Sequence, residues 1–511
     1  MRSEVEHSLM ANDAPTRGAA REAHQHWVLV GLVGLALFLR LWLLHLVPVI
    51  ETDGVRYVEI ARRFQQTGSP FDSLFHPLYP LCIALFQVLV PDYELAGRLA
   101  SSVFGAVLIL PAYALTRALL GSRVAALTGI LLAIHPALLH ASIAVLSETT
   151  YTFWIVLGVW AGWHGLSSSR PGSLAAAGLC FGLAYLTRPE GFLYLVGLLL
   201  LTAWTGIRDK RLRILAPWGG AGLVGFLLLA GPYLIYLRNS LGYWTLSGKV
   251  MHNLLQDTGG GAVVGQTDMG FLLSHAGAMA RRVLENAYLF EKYALPDLFP
   301  GLLVLAVLPG LLHRPRGSDW GASQGLLLAA ALPPFATLAF HVEARVFLPS
   351  LPFLLPMAAT GVLAAAKWCA RDRTSTVWTT GLAALFVLAL LPFSLRLALH
   401  PDPGAALYRQ AAGWVAATQP ADVTIMDRKP FIAFYTGRRL AILPRVPPGE
   451  LASAAGRAGA KLVILDSRVF ADRPELFPLL YALPPAGLTV LQDFDAGPDG
   501  RLRILKVGDR G

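Results

Sequence analysis

The sequence predicts an all-α polytopic membrane protein with about eleven transmembrane helices, followed by a small C-terminal α/β domain outside the membrane. The chain has 511 residues, of which 55% are hydrophobic and only 14% are charged, and its mean hydropathy is +0.54. Soluble domains carry about 25% charged residues. Here the apolar residues form repeated runs of roughly 17 to 25 residues, the length that a helix needs to cross a bilayer.

The apolar runs define the predicted spans and leave one segment ambiguous. Residues 77–91, "PLYPLCIALFQVLVP", are apolar but only about 15 residues long, which is short for a span. We predict that this segment lies flat or re-enters the membrane, because all basic clusters then share the side of the N-terminus, as the positive-inside tendency requires. The predicted spans are residues 27–48, 94–116, 124–140, 149–166, 174–187, 191–206, 215–237, 297–313, 323–341, 346–366 and 376–397.

Short basic clusters between the apolar runs account for the net charge of +10. Such clusters are typical of cytoplasmic loops, so the charge indicates topology and not a nucleic-acid partner. This topology predicts a cytoplasmic tail over residues 1–26, a membrane domain over 27–397 with outer loops at 49–93 and 238–296, and an extracytoplasmic domain over 398–511. The clusters are Arg117 with Arg123, "RDKRLR" at 208–213, "HRPRG" at 313–317 and "KWCARDR" at 367–373.

The C-terminal part differs from the rest of the chain in its residue pattern. "DVTIMD" and "KLVILD" are typical of short buried strands that end in Asp, and "DPGAALYRQAAGWVAATQ" and "SAAGRAG" are helix-compatible segments between turn signals. This alternation predicts the small α/β domain. Cys82, Cys180 and Cys369 are odd in number and lie in or beside apolar segments, so no disulfide framework is expected.

The first candidate site directly follows the first apolar run, in "VPVIETDGVRYVEIARRF" at 47–64. On a helical wheel, residues 55–66 separate into an apolar arc and a polar arc that carries arginines, which favours a helix in the membrane interface. Asp53 would then lie at the depth of lipid phosphates, where it is a candidate catalytic base with Glu51 beside it. The alternative is that Asp53 only caps the helix, since Asp is among the preferred N-cap residues.

Three further charged residues interrupt apolar sequence on the predicted outer face. Glu148 follows Ser147 at the start of a span, where it either binds substrate or simply suits the helix dipole behind a serine cap. Arg188 in "LTRPEG" and Arg345 in "HVEARVFLP" either snorkel to the interface or bind an anion. Arg345 is the better phosphate ligand, because a guanidinium offers a planar fork of donors and keeps its charge.

The ordered series of these segments resembles the GT-C glycosyltransferases of the protein-mannosyltransferase-like group, which includes the aminoarabinose transferases that modify lipid A. The resemblance covers roughly residues 27–400. It rests on the order and the intervals of "IETDGVRYVEIARRF", "HPLYPLCIALFQVL", "AGRLASSVFGAVLILPAYALTRALLG", "SETTYTFW", "GLAYLTRPEG" and "EARVFLPSLPFLLPMAATG".

The resemblance implies an inverting transfer of one sugar from a polyprenyl-phosphate donor to a hydroxyl group of an envelope lipid, glycan or protein. The reaction would take place at the outer face of a bacterial inner membrane. The acidic pair of the family maps onto Glu51 and Asp53, with Asp53 as the general base, and its second acid maps onto Glu148.

The chain departs from the family pattern at three positions. His76 lies where the "PPLYP" segment begins with Pro, Arg188 lies where the family often has Lys, and Val346 lies where the late "RY" pair has Tyr. These departures leave the donor and acceptor contacts open at those positions. The substrate-binding candidates are Arg56, His76, Tyr79, Arg98, Glu148, Arg188, Glu190, Lys249, His341, Glu343 and Arg345.

The residue types suit a phosphate leaving group. A lipid phosphate needs cations more than a protonated acid, so one carboxylate is enough to take the proton of the acceptor hydroxyl. A glycoside hydrolase, in contrast, uses two carboxyl groups because its leaving group must be protonated. No pair of histidines has convincing zinc spacing. A divalent cation such as Mg²⁺ or Mn²⁺ stays open as a cofactor, since Glu51 and Asp53 supply hard oxygen ligands.

Two other classes of protein share some of these features. A transporter or flippase for polyprenyl-linked glycans would also have many spans, but it should show inverted repeats and charges near the membrane midplane. Another envelope glycan ligase would be expected to use Arg and His in a large outer loop, without an acid in the first loop. The first-loop acids and the charges gathered on one predicted face favour the transferase.

Overall fold

The computed structural model describes residues 23, 25–249, 276–313, 320–339, 342–369, 376–399, 403–468 and 473–508. Contacts between Cα atoms divide the chain into two compact units. The first unit contains the residues up to Leu44 together with Ile60–Leu397, and the second contains His45–Glu59 together with the residues from Ala398 onwards. The short segment with Glu51 and Asp53 therefore groups with the C-terminal residues.

The first unit is built from helices that follow the apolar runs, and many of its buried apolar residues belong to one large cluster. A π-helical turn at Phe290–Ala294 and 3₁₀ helices at Pro333–Ala339 and Ala344–Ser350 connect some of them. The helices are α1 (Gln25–Leu46), α2 (Thr52–Thr67), α3 (Leu78–Gln87), α4 (Tyr93–Val107), α5 (Ile109–Leu120), α6 (Ser122–Ile134), α7 (Pro136–Ile143), α8 (Glu148–Ser167), α9 (Pro171–Thr187), α10 (Gly191–Arg208), α11 (Leu212–Leu241), α12 (Ala276–Leu289), α13 (Leu295–Leu298), α14 (Leu303–Leu312), α15 (Trp320–Ala331), α16 (Leu351–Cys369) and α17 (Thr376–Leu399).

The predicted number of about eleven spans is not confirmed. Among the described residues, six helices are long and apolar enough to cross a membrane, or up to eight if each of two bent pairs counts as one span. The predicted spans do fall largely on helical residues, but a helix surrounded by protein need not be apolar all round. The 20-residue α8 carries buried Glu and Thr side chains, and α9 has only 17 residues. The 10-residue α3 extends about 15 Å, half of the hydrocarbon thickness of about 30 Å, so it cannot cross as one straight helix.

A buried arginine stabilises the break between α6 and α7, two helices that meet at a bend of 53°. Pro136 begins α7 and has no N–H group with which to continue the helix, so carbonyls at the end of α6 lose their intrahelical partners. Arg40 of α1, which is 0% exposed, donates to the carbonyls of Ala133 at 3.3 Å and Leu132 at 3.5 Å. The charge of Arg40 inside the first apolar run is therefore paired with backbone carbonyl groups of α6.

Glycines allow some helices to pack with their backbones in contact. A Cβ atom on Gly178 of α9 would lie 1.9 Å from the carbonyl oxygen of Gly222 in α11, and one on Gly310 of α14 would lie 1.8 Å from that of Met357 in α16. Such close approach through small residues is typical of helix packing in membranes. In the first turn of α9, by contrast, a Cβ atom on Gly172 would meet nothing within 4 Å.

The second unit contains a five-stranded mixed sheet in the order β2-β1-β3-β5-β4. Strand β1 (Ile425–Asp427) lies parallel to β2 (Leu440–Ile442) and to β3 (Leu462–Asp466). Strand β5 (Arg501–Val507) runs antiparallel to β3 and to β4 (Leu488–Asp495). The segments "DVTIMD" and "KLVILD" form β1 and β3 as predicted.

Three helices accompany the sheet, and two of them were predicted. They are α18 (Pro403–Thr418), α19 (Phe431–Thr436) and α20 (Leu451–Arg457), with 3₁₀ turns at Pro448–Glu450, Pro474–Leu480 and Gly497–Asp499. The predicted helical segments correspond to α18 and α20. Strands β2, β4 and β5 and helix α19 were missed. None of the three residues of β2 is buried, whereas the equally short β1 is buried throughout, and β4 and β5 mix apolar with charged residues.

The two buried parallel strands end in carboxyl groups. Asp427 is 0% exposed and Asp466 is 4% exposed, and each accepts a backbone N–H two residues further on, from Lys429 at 3.2 Å and from Arg468 at 2.7 Å. The other carboxyl oxygen of each Asp has no hydrogen-bond partner within the described part of the chain. Burial, together with the charge of Asp466, raises the pKa of Asp427 well above the usual Asp value.

Candidate functional site

Glu51 and Asp53 lie at the start of α2, within the second unit. The N–H of Val55 donates to the carbonyl of Glu51 at 3.0 Å, so Glu51 occupies the N-cap position and Asp53 lies in the first turn. Both side chains are half-buried. Asp53 is therefore not the N-cap residue of α2, as the alternative interpretation of the sequence required. Its role as a catalytic base stays a prediction.

The apolar side of α2 is covered by protein. The sequence favoured a helix with this side in the membrane interface, and in the structure most of its apolar residues are instead buried. They are Tyr57 at 6%, Val58 at 0%, Ile60 at 1% and Ala61 at 0% exposure. Amphipathic periodicity identifies the buried side of a helix, but it does not distinguish lipid from protein as the covering material.

The C-terminal helices anchor the backbone just ahead of Asp53. The N–H of Ile50 donates to the hydroxyl oxygen of Tyr435 at 2.7 Å, and Nε of Arg409 donates to the carbonyl of Pro48 at 2.9 Å. The Arg409 guanidinium also stacks on the Tyr435 ring at 3.8 Å. Sequence reasoning missed both residues, because they follow their partners by 361 and 385 positions.

Glu148 is the centre of a charged cluster in the first unit. It is 1% exposed, and its Oε1 lies 2.9 Å from Nη1 of Arg188 and 3.6 Å from Nη1 of Arg345. Its Oε2 has no hydrogen-bond partner among the residues described. The side chain of Ser147 makes no capping bond to α8, so a simple cap does not account for this acid.

The turn between α9 and α10 positions Arg188. Pro189 restricts Arg188 to extended backbone, observed as φ −152° and ψ 143°. Gly191 closes the turn, because a Cβ atom there would lie only 2.4 Å from the backbone nitrogen of Tyr185. Nε of Arg188 lies 3.4 Å from Oε2 of Glu190, so the guanidinium bridges two acids.

Arg345 approaches the cluster from the 3₁₀ helix Ala344–Ser350. Its side chain is 29% exposed and pairs with the carboxylate of Glu343 as well as with Glu148. A guanidinium presents its N–H donors as a planar fork, a geometry that suits carboxylate and phosphate groups. Val346 is buried at 5% exposure, and His341, another predicted contact, lies outside the described residues.

His76 occupies an aromatic pocket close to the same cations. It is 4% exposed, and its ring centroid lies 5.0 Å from that of Tyr185 and 4.9 Å from that of Tyr233. Neither ring nitrogen has a hydrogen-bond partner in the described ranges. Burial, helped by Arg188 and Lys249, lowers the pKa of His76 to about 3. The neutral imidazole therefore presents one donor and one acceptor.

The segment that ends in Lys249 packs against the loop that carries His76. The N–H of Gly248 donates to the carbonyl of Ser73 at 3.1 Å, and the Tyr185 hydroxyl donates to the carbonyl of Leu246 at 2.9 Å. Nζ of Lys249 lies 4.6 Å from the centroid of the Phe75 ring. The tyrosines of this pocket were not predicted, although "GLAYLTRPEG" contains one of them.

Three other residues that were predicted to contact the substrate form hydrogen bonds or ion pairs with other residues of the protein. Tyr79 is 0% exposed and donates to the carbonyl of Gly97 at 3.0 Å. Arg98 is 8% exposed and pairs with the carboxylate of Glu94. Arg56 pairs with an exposed glutamate one turn along α2 at 2.9 Å. These contacts favour packing and surface roles, and substrate binding by these residues stays a prediction.

The acidic pair offers an incomplete ligand set for a metal ion. Within the described residues, no group of three or more His, Cys, Asp and Glu side chains could hold a metal ion. Mg²⁺ is commonly bound by one or two carboxylates together with substrate phosphates and water. Glu51 and Asp53 fit such a site only if a substrate supplies further oxygens, so the divalent cation stays a prediction.

An apolar cavity of about 360 Å³ in the first unit is lined by residues of α8, α9, α10 and α15, among them Arg208 at the far end of α10. Tyr194 lines the cavity, and its ring centroid lies 6.5 Å from that of Tyr151. These tyrosines follow Glu190 and Glu148 by about one helical turn each. Tyr194 thus lies one turn of α10 away from Glu190, while the rest of the cavity extends along α10 towards Arg208.

Comparison with known proteins gives matches over part of the sequence. Residues 73–236 match the family model described as dolichyl-phosphate-mannose-protein mannosyltransferase. A protein of Pseudomonas fluorescens, described as undecaprenyl phosphate-alpha-4-amino-4-deoxy-L-arabinose arabinosyl transferase 1, is 30% identical over 207 residues, which cover 38% of this chain and 37% of that protein. The matched region thus spans little more than a third of that relative.

Solved structures share the fold over most of the chain. ArnT from Cupriavidus metallidurans bound to undecaprenyl phosphate has a TM-score of 0.54 at 17% identity, with 94% of this chain and 98% of that chain covered. The Archaeoglobus fulgidus oligosaccharyltransferase in the apo form has a TM-score of 0.55 at 15% identity, with 86% and 70% covered. The resemblance predicted from the motif series is confirmed: the chain has the GT-C fold and resembles the group that contains the protein mannosyltransferases and ArnT.

Proposed function

We propose that this chain is a membrane glycosyltransferase that moves one sugar from a polyprenyl-phosphate donor to a hydroxyl group of an envelope acceptor. The observation that carries the proposal is the cluster of Glu148, Arg188 and Arg345, in a unit that also contains an apolar cavity. A donor with a phosphate head and an isoprenoid tail has the matching polarity. The undecaprenyl phosphate named for two similar proteins supports the same class of donor.

The proposed reaction is a single displacement with inversion at the anomeric carbon. The acceptor hydroxyl transfers its proton to the Asp53 carboxylate while its oxygen forms a bond to the anomeric carbon. The bond from that carbon to the phosphate oxygen breaks, and its electron pair stays on the phosphate. Arg345, Arg188 and Lys249 stabilise the negative charge of the departing phosphate. General-base assistance of this kind contributes typically about 10²- to 10⁴-fold in rate.

In this mechanism Glu148 orients cations and does not take a proton. Its carboxylate is buried and shared by two arginines, so it fixes both guanidinium groups before the donor binds. Such preorganisation avoids reorientation during the reaction. His76 supplies a neutral donor and acceptor pair for a sugar hydroxyl, since its ring nitrogens lack partners among the described residues.

We further propose that residues 27–397 form the membrane domain of a bacterial inner-membrane protein and that residues 398–511 lie on the extracytoplasmic side. The basic clusters support this orientation through the positive-inside tendency. The segment His45–Glu59 groups with the C-terminal residues.

The proposal is tested by mass spectrometry of envelope lipids, glycans and proteins from matched strains. The strains carry the intact protein, a deletion, Asp53→Asn, or Glu285→Gln as a control for loss of an exposed carboxylate (60% exposed side chain). We expect one species to lose a single sugar mass in the deletion and in Asp53→Asn, and to keep it in Glu285→Gln. If Asp53→Asn matches the intact protein while the deletion loses the sugar, Asp53 is not the base. If no species loses a sugar mass in the deletion, the transport alternative is favoured.

A further inference from the structure

A second cavity, of about 650 Å³, is lined by one residue from each of three basic clusters of the sequence. Arg123 belongs to the first turn of α6, His313 directly follows α14, and Lys367 lies in the last turn of α16. All three residues line this cavity. The positive-inside pattern predicts these clusters on one membrane face, but only the packing of the helices arranges them around a common space.

The lining of this cavity changes from basic to apolar with depth. Along α6, Leu127 and Ile130 lie about 6 Å and 10 Å further into the bundle than Arg123, at a rise of 1.5 Å per residue. On the antiparallel wall, Leu363 of α16 lies about 6 Å deeper than Lys367. All of these residues line the cavity. The cavity therefore has a cationic mouth and apolar walls, which matches an amphiphile with an anionic head.

Two of the basic residues at the mouth, Arg123 and Lys367, are open to solvent. Within the described residues neither forms an ion pair or a hydrogen bond with another side chain. The exposed N–H groups at the start of α6, around Ser122, add the positive end of a helix dipole to the same mouth.

We propose that this cavity binds one anionic glycerophospholipid from the surrounding bilayer. The lipid phosphate lies between Arg123, His313 and Lys367, and the upper part of an acyl chain packs against Leu127 and Leu363. Basic pockets between transmembrane helices are a recognised setting for anionic headgroups. A zwitterionic lipid is disfavoured, because it would bring its own ammonium group towards the same cations. The site is separate from the sugar-transfer cluster and does not depend on the proposed function.

The test is a titration of the purified full-length chain in detergent with phosphatidylglycerol, followed by native mass spectrometry. The double variant Arg123→Gln, Lys367→Gln removes two charges from the mouth. Each cation near a membrane anion contributes roughly a factor of five in affinity, so we expect binding of the first phosphatidylglycerol to weaken about 20- to 30-fold. The double variant Arg211→Gln, Arg213→Gln removes two exposed charges that do not line the cavity, and it should bind like the intact protein.

A variant that fills the cavity separates this site from general attraction to the basic face. Ala364→Phe adds volume to the wall and leaves all charges in place, so we expect it to lose the first phosphatidylglycerol as well. Titration with phosphatidylethanolamine should show much weaker binding to the intact protein. The proposal is overturned if the mouth variant or Ala364→Phe binds phosphatidylglycerol like the intact protein, or if phosphatidylethanolamine binds equally well.

Discussion

Tyr435→Phe removes one oxygen atom that anchors the backbone ahead of the proposed base. In the intact protein the N–H of Ile50 donates to this hydroxyl at 2.7 Å, and Ile50 is 1% exposed. Phe keeps the aromatic ring on which Arg409 stacks at 3.8 Å. The substitution therefore leaves a buried N–H without its acceptor three residues before Asp53, with little other change.

The expected cost follows from this geometry. A buried donor that loses its partner costs about 1–3 kcal/mol, and the segment can relieve that cost by moving the N–H towards water. Such a shift displaces Asp53 from the acceptor hydroxyl. If this cost of about 1–3 kcal/mol destabilises only the conformation in which Asp53 can act as the base, the population of that conformation decreases by about 5- to 150-fold. The kcat decreases by the same factor. The cations of the first unit that we propose to bind the donor are not altered by this substitution, so we expect the KM for the donor to change little.

The assay measures formation of the sugar-modified species, identified with the deletion strain, in membrane vesicles that contain equal amounts of each variant. Tyr481→Phe is the matched control, because it makes the same chemical change at a residue that is 59% exposed in the second unit. We expect Tyr481→Phe to retain the intact rate while Tyr435→Phe loses it. Equal rates for the two variants would refute the inference that the C-terminal residues position the base.

Three further predictions concern stability, measured as thermal unfolding of the full chain in detergent. Glu148→Ala should lower the free energy of unfolding by about 1–3 kcal/mol, because two arginines lose hydrogen-bonding and ionic contact with a shared buried carboxylate while keeping Glu190 and Glu343 as partners. The exposed Glu343→Ala should cost less than about 1 kcal/mol. Equal losses of unfolding free energy in Glu148→Ala and Glu343→Ala would contradict the inference that both arginines are held by Glu148. Gly178→Ala should destabilise by about 1–3 kcal/mol through overpacking against the α11 backbone, while Gly172→Ala should unfold like the intact protein; equal unfolding of the two would contradict the close approach of α9 and α11. The pKa of Asp427 is raised in the folded state, so the folded protein keeps a proton that the unfolded chain loses. The contribution of Asp427 to the free energy of unfolding is therefore fully present below the ordinary pKa of 3.8. It is lost as the pH rises towards the raised pKa of the folded state. Asp427→Asn stays neutral and should therefore unfold at an equal or higher temperature at pH 8, and an unchanged pH profile would contradict the assignment.

The amino-acid sequence by itself determined the class of this protein and the positions of many of its elements. Hydrocarbon imposes a local requirement, a long apolar run, and that requirement can be recognised in a window of about twenty residues. Buried strands are also recognised locally, so β1 and β3 were predicted from "DVTIMD" and "KLVILD". The partly exposed strand β4 and the mostly buried strand β5 were missed, because their charged residues obscure the apolar pattern.

The tertiary structure alone decided which charges meet and what covers each helix. Glu148, Arg188 and Arg345 lie far apart in sequence, and only helix packing places the two guanidinium groups on one buried carboxylate. The anchoring of Ile50 by Tyr435 joins residues 385 positions apart. The number of spans also depended on packing, since helices enclosed by protein tolerate polar residues that lipid-facing helices do not. Hydropathy is a local property of the chain, whereas these contacts depend on how distant segments pack together.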